Sequence, residues 1–213
     1  MKIGPAIRKW MPASFERRAA GVYRSVFVDL GKVATRLAEA LPQQAKVLDI
    51  GGGDGELLNK LFALRPDITV VMVDVADSVG KFIEPRFMER VQFLPKTFIE
   101  DHAAASPASY DAAIIVDVLH HIPVGQRHGF LSAVRHAVRD RGSIFVKDLE
   151  PGHFISMLSL YCDWYISGDR DVVLVSMSGL RALADELFPG HVSNEIGLRA
   201  VDAPNYIVRI DVA

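Results

Sequence analysis

The sequence predicts a doubly wound α/β fold, a mostly parallel sheet with an antiparallel hairpin at its C-terminal end. Three observations carry this. Apolar runs of strand length alternate with stretches of helical periodicity between Ala45 and Lys147, the pattern of parallel strands joined by right-handed crossovers. The first of those runs enters VLDIGGGDGE, Val47 to Glu56, where four glycines fall within five positions at a strand-to-helix junction. Near the C-terminus, one more helical stretch precedes two segments separated by a short turn, the signature of a hairpin at a sheet edge.

From Pro12 to Leu41 the apolar residues Val22, Val26, Leu30, Val33, Leu37 and Leu41 recur at helical spacing until Pro42 stops them, so one or two helices precede the first strand. Ala45 to Ile50 is that strand and Gly55 to Leu64 the helix after it. Thr69 to Val75 (TVVMVDV) is nearly continuous in apolar residues, as strands buried on both faces are. A helix or irregular turn from Asp77 to Met88 leads to a short strand, Val91 to Leu94. Tyr110 to Val116 is the fourth strand, Val124 to Val138 a helix, and Ser143 to Lys147 the fifth strand after an Arg141-Gly142 turn. Gly179 to Leu187 is the late helix, with Ser178 as its N-cap. The hairpin segments are His191 to Leu198 and Tyr206 to Val212. No repeat or linker divides the chain, so residues 1–213 form one domain: an N-terminal helical arm over 1–42, the sheet, and an insertion over 153–170.

With 213 residues, half of them hydrophobic, the chain can bury a full core. Its net charge of −2 offers no strong attraction to nucleic acid. One cysteine, Cys162, excludes an internal disulfide, and the N-terminus lacks the apolar core of a secretory signal, so a reducing cytoplasm is expected. No window is long and apolar enough to span a membrane. The first 36 residues carry Lys2, Arg8, Lys9, Arg17, Arg18, Arg24, Lys32 and Arg36 against Glu16 and Asp29. Such an arm packs over the domain or, less in keeping with a globular chain, touches an anionic membrane surface.

In an open parallel sheet, ligands bind at the carboxyl ends of the strands, where the strand order reverses. The glycine turn belongs there, and its exposed N–H groups with the following helix N-terminus favour an anionic group. The spacing narrows the ligand. Counting from Gly51 or Gly53, the sixth position of a G-x-G-x-x-G fingerprint falls on Glu56 or Leu58, so the dinucleotide motif fails, as does the phosphate-cradling loop. What stands is acid-x-Gly-x-Gly-x-Gly: Asp49, Gly51, Gly53 and Gly55. An acid that accepts from an ammonium, beside a backbone that receives a carboxylate, suits an amino-acid moiety.

With Asp74 closing the second strand in VVMVDVAD and YDAAIIVDVLHHIP and VRDRGSIFVKDLEP in register, the chain resembles the class I S-adenosylmethionine-dependent methyltransferases from about Ala45 to Pro151. The resemblance implies a seven-stranded sheet with a reversed seventh strand and S-adenosylmethionine as cofactor. It implies Asp49, Gly51, Gly53 and Gly55 at the amino-acid end of the cofactor, and Asp74 with Val75 at the ribose. Asp117 is expected either to line the methionine end or to cap the helix that follows. Where the family often has Gly-Asp after its third strand, this chain has Lys96 and Thr97, so Thr97 or the backbone of Phe98 is expected to meet the adenine.

Methyl transfer from a sulfonium is an in-line displacement, so the protein mainly aligns the acceptor and excludes water. A base is needed only for an acceptor that is protonated at neutral pH. His121 is the candidate, against a structural role for the pair His120 and His121 in holding the turn. Lys147, Asp148, Glu150 and His153 stand at the same mouth. The GGGDG turn distantly resembles the plant-type small-molecule O-methyltransferases, but no His occurs between Phe154 and Pro189, so their later catalytic His has no counterpart; Tyr165 is the second catalytic candidate. No metal-ligand spacing is present, since adjacent His120 and His121 diverge on most backbones.

The insertion supplies Phe154, Met157, Leu158, Tyr161, Trp164 and Tyr165, an apolar set that reads as a substrate lid or as a core or dimer-forming helix. The expected activity is therefore S-adenosylmethionine-dependent methyl transfer to a small molecule, at oxygen rather than nitrogen or carbon, in secondary metabolism. Two other classes compete. A nicotinamide oxidoreductase is disfavoured by the glycine spacing, and a non-catalytic cofactor-binding partner subunit by the intact insertion.

Overall fold

The computed structural model describes residues 29–162, 172–196 and 204–212. The predicted arm lies outside them up to Val28. Its last part is helix α1, Leu30–Ala40, capped by Asp29, whose carboxylate accepts from the N–H groups of Gly31 and Lys32. Strands β1 (Lys46–Ile50) and β2 (Thr69–Val73) flank α2 (Glu56–Leu64), and β3 (Val91–Leu94) follows a 3₁₀ stretch, Pro85–Arg90. Then come α3 (Ile99–Ala105), β4 (Tyr110–Val116), α4 (Arg127–Ala137), β5 (Val138–Leu149), α5 (Phe154–Cys162), α6 (Met177–Leu187), β6 (Val192–Glu195) and β7 (Asn205–Asp211).

The seven strands order as β3-β2-β1-β4-β5-β7-β6. The first five are parallel, while β7 runs antiparallel between β5 and β6. The expected doubly wound sheet with its terminal hairpin is therefore the fold. Side chains of β1 divide between two cores: Leu48 and Ile50 join the face covered by α3, α4 and α6, and Val47 joins the face covered by α1 and α2. The strand order reverses between β1 and β4, and the carboxyl ends of those strands open the crevice in which ligands of such sheets bind.

Four local expectations are corrected. Helix α3 went unpredicted: its seven residues, IEDHAAA, are too few for a periodic stripe and Phe98 offers no side-chain cap, so only Glu100 and Asp101 in the first turn mark it. Gly55 is not the first residue of α2 but its left-handed N-cap. The N-cap of α6 is Ser176, not Ser178, and its hydroxyl accepts from Gly179 N–H at 3.0 Å. β5 starts at Val138, before the Arg141-Gly142 turn, because Val138 pairs with Tyr110 ahead of a register shift. A clamp missed by pattern reading closes α1: the Arg65 guanidinium donates to the carbonyls of Ala38 (2.9 Å), Leu41 (2.8 Å) and Pro42 (2.5 Å) and pairs with Asp67, holding that carboxyl well below the usual range. Among the described residues no helix is long and apolar enough to cross a membrane.

Candidate active site

The turn after β1 brings Gly51, Gly53 and Gly55 into the left-handed region, with φ of 68°, 56° and 84°. At Gly53 the surroundings are as telling as the backbone. A Cβ built there meets nothing closer than the Gly51 carbonyl at 4.0 Å, so the turn faces open space. At Gly52, which sequence reasoning did not single out, a Cβ would collide with the Asp49 carboxylate. Asp49 thus lies under the turn, 3% exposed. Burial first, and the negative Asp74 second, push its carboxyl up to about 7.

Asp74, just past β2, fastens the turn. Its Oδ2 accepts from Gly53 N–H at 3.1 Å and its Oδ1 from Ala76 N–H at 2.8 Å. The loop beyond it returns to the same turn, with Gly80 N–H donating to Gly53 O and Phe82 N–H to Asp54 O, both at 2.8 Å. Asn59, buried on the inner face of α2, reinforces that loop by donating to Phe82 O at 2.7 Å and accepting from Glu84 N–H at 2.9 Å. A polar residue on the apolar face of a helix is the signal that could have found it.

Val75 (61% exposed) follows Asp74 two residues past β2, and Phe98 (59%) is the N-cap residue of α3; both expose apolar side chains. The Thr97 hydroxyl donates to Pro95 O at 3.0 Å, so as a donor it serves its own turn. Lys96 pairs with Asp77 at the surface.

Across the crevice, Asp117 closes β4 with φ of 56°. Its N–H donates to Lys147 O at 3.0 Å and its Oδ1 accepts from Lys147 Nζ at 2.6 Å, where the lysine is fully buried. His120 and His121 form a single 3₁₀ turn with Leu119. The two rings lie 4.2 Å apart and differ in setting: His121 is exposed, whereas His120 is buried and contacts Asp148 Oδ1 through Nδ1 at 2.6 Å. Ligand-capable atoms of Asp117, His120 and Asp148 lie within 4.8 Å of one another, a grouping that sequence spacing did not reveal because Asp148 is far away along the chain. The Lys147 ammonium already supplies positive charge to this cluster.

Helix α5 leaves the same edge, tied down where the Ser156 hydroxyl donates to Glu150 O at 2.6 Å. It exposes Phe154, Met157, Leu158 and Tyr161. Trp164 and Tyr165 lie outside the described residues. Asp49, Gly51, Gly53, Gly55, Asp74, Val75 and Asp117 thus lie in or just past the carboxyl ends of β1, β2 and β4, with Thr97 and Phe98 between β3 and α3 and His121 in the turn after β4.

A family model described as a methyltransferase domain matches residues 23–187. A ubiquinone biosynthesis O-methyltransferase of Xanthomonas campestris pv. campestris is 27% identical over 151 residues, 70% of this chain and 59% of that protein. The chain therefore spans less than two thirds of that relative's length. Among solved structures, a SAM-dependent methyltransferase from Archaeoglobus fulgidus superposes with a TM-score of 0.65 at 18% identity, covering 90% of this chain and 99% of that one. A 1,6-didemethyltoxoflavin-N1-methyltransferase from Burkholderia thailandensis, solved with S-adenosylhomocysteine bound, superposes with a TM-score of 0.62 at 18% identity, over 86% of this chain and 79% of that one.

Proposed function

The chain belongs to the methyltransferase domain family, and we propose that it is an S-adenosylmethionine-dependent methyltransferase that methylates a hydroxyl of a small, partly apolar acceptor. The single observation that carries the cofactor seat is the open, left-handed turn at Gly53, tied through its amide to the Asp74 carboxylate. That cradle fits the amino-acid and ribose ends of the cofactor, because a side chain at Gly53 would fill the open space and a carboxylate at Asp74 can accept from ribose hydroxyls. In this reading Asp49 answers the ammonium and the N–H groups of the turn face the carboxylate. Val75 and Phe98 flank the adenine, and the Phe98 backbone replaces the family's acid. Asp117, held by Lys147, lines the methionine end.

The bound cofactor supplies an electrophilic methyl group on a sulfonium. The chain's own residues align the acceptor, exclude water and take up a proton. His121, exposed beside the crevice, is the group proposed to accept the hydroxyl proton. The apolar residues of α5 support a small acceptor with hydrophobic surface, and Tyr165 remains a candidate contact from the same insertion. Oxygen as the methylated atom is supported by the name of the Xanthomonas relative. Calorimetric titration with S-adenosylhomocysteine, with NAD as control, tests the seat; a panel of phenols, catechols and aromatic amines incubated with labelled cofactor tests the acceptor. Methylation of the amines alone would overturn the oxygen assignment.

A further inference from the structure

A buried polar hub joins the ends of β4 and β5 to the chain that enters α6. Asp148, fully buried, accepts three hydrogen bonds: from Nδ1 of His120 at 2.6 Å, from His120 N–H at 3.2 Å and from Leu149 N–H at 2.8 Å. A ring nitrogen this close to a carboxylate is the protonated one, so Asp148 sets the orientation of the imidazole. The backbone of His120 reaches the other way: its carbonyl accepts from Val173 N–H at 3.0 Å. Arg127, also buried, donates through Nε to Ile122 O at 3.0 Å and through Nη2 to Val173 O at 2.5 Å. The N–H of Val173 is therefore bound to the turn that carries His121 and its carbonyl to Arg127 at the start of α4, although Val173 belongs to no helix or strand. Nearby, Tyr206 donates to Val175 O at 2.8 Å, and Glu150 accepts from Met177 N–H at 2.8 Å.

From this juxtaposition we propose that His120, oriented by Asp148, is a positioning residue for methyl transfer: it holds the chain at Val173, which returns from the acceptor-side insertion, in register with the strand ends that seat the cofactor. The proposal rests on the reading of that insertion as the acceptor side. Its physical basis is the intolerance of an in-line displacement to misalignment, since an acceptor displaced by an ångström loses orders of magnitude in rate. Two halves of the site contributed by distant stretches of chain need a stiff join, and buried, mutually satisfied polar groups provide one.

The experiment compares His120→Leu, His120→Asn and Arg127→Lys by calorimetry with S-adenosylhomocysteine, by amide hydrogen exchange at Val173, and by turnover of 3,4-dihydroxybenzoate as a simple catechol acceptor. Asparagine places an N–H donor where Nδ1 stands, so it can keep the Asp148 contact but cannot carry a proton. In His120→Leu, exchange at Val173 should rise roughly tenfold or more, while affinity for S-adenosylhomocysteine stays within about threefold. Catechol kcat/KM should fall roughly thirtyfold, and His120→Asn should recover most of both losses. Arg127→Lys, which keeps the charge and loses the fork, should loosen Val173 in the same sense and gives the answer if the leucine variant does not fold. Val173 remaining protected in folded His120→Leu or Arg127→Lys would overturn the proposal. So would His120→Asn as inactive as His120→Leu with Val173 protected, which would make His120 a proton carrier. If the wild-type chain binds S-adenosylhomocysteine but leaves the catechol unchanged, the acceptor assignment fails by itself, and exchange at Val173 still decides the role of His120.

Discussion

Asp49 and Gly53 show how single positions set the turn after β1, the proposed cofactor seat. Burial raises the Asp49 carboxyl to about 7 in the folded chain, against an ordinary value near 3.8. The folded state therefore holds this proton more tightly than the unfolded state. The stability linked to it is complete below about pH 4 and is lost as the pH rises to about 7, a difference on the order of 4 kcal/mol at most. Denaturant unfolding of the unliganded protein between pH 5 and 8 should show this decline, and Asp49→Asn should remove it; equal slopes in both proteins would refute the assignment. Gly53→Val tests the opposite kind of constraint. A β-branched residue at a φ of 56° is strained by about 1–2 kcal/mol, and its side chain enters the open space of the turn. Binding of S-adenosylhomocysteine should vanish while the circular dichroism spectrum persists. Asp74→Ala removes the acceptor for Gly53 N–H as well as the proposed ribose contact, and affinity should fall by about 1.5–3 kcal/mol. Wild-type affinity in both variants would place the cofactor elsewhere.

At the level of elements, termini and short helices separate what can be read from sequence from what cannot. The strands were legible because β1, β2 and β4 lie within a sheet covered on both faces, which demands nearly unbroken apolar runs such as Val70 to Val73. Helix α3 was not, because two turns with no side-chain cap leave hardly any periodic signal. In the site, the glycine turn and Asp74 were legible because their chemistry follows from spacing along one βαβ unit. Lys147 beneath Asp117, Asp148 beside His120, and Arg127 on Val173 were not, because those partners meet only after β4, β5 and the chain before α6 come together. The start of α6 is a case where two serines compete for one role. Since the Ser176 hydroxyl caps Gly179 N–H, Ser176→Ala should destabilise the protein by about 1 kcal/mol, whereas Ser178→Ala, past the cap, should cost a few tenths. Paired urea titrations check the difference, and the reverse order would return the cap to Ser178.

The whole molecule is organised around the reversal of strand order between β1 and β4. Asp49 lies in the last turn-side positions of β1, with Gly51, Gly53 and Gly55 just past it, Asp74 just past β2 and Asp117 just past β4, and the turn after β1 is bonded to β2 through Val73 O and Asp74. On the far side β5 reaches the same crevice through Lys147 and is itself flanked by β7, whose Ile207, Val208 and Ile210 are fully buried. A ligand bridging the ends of β1, β2 and β4 therefore contacts three central strands, whose separation is the unfolding reaction itself, so its binding energy should appear in global stability and not only in local order. Free S-adenosylhomocysteine at a hundredfold excess over its Kd adds about 2.7 kcal/mol. For a domain of this size each kcal/mol moves the melting midpoint by about 2–4 °C, so Tm should rise by roughly 5–11 °C. NAD at the same concentration should leave Tm unchanged, and Gly53→Val should abolish the shift while melting as one cooperative transition. A shift with NAD and none with S-adenosylhomocysteine would mean that the crevice takes a dinucleotide despite its glycine spacing. An undiminished shift in Gly53→Val would show that the ligand stabilises the fold from a site other than the turn after β1.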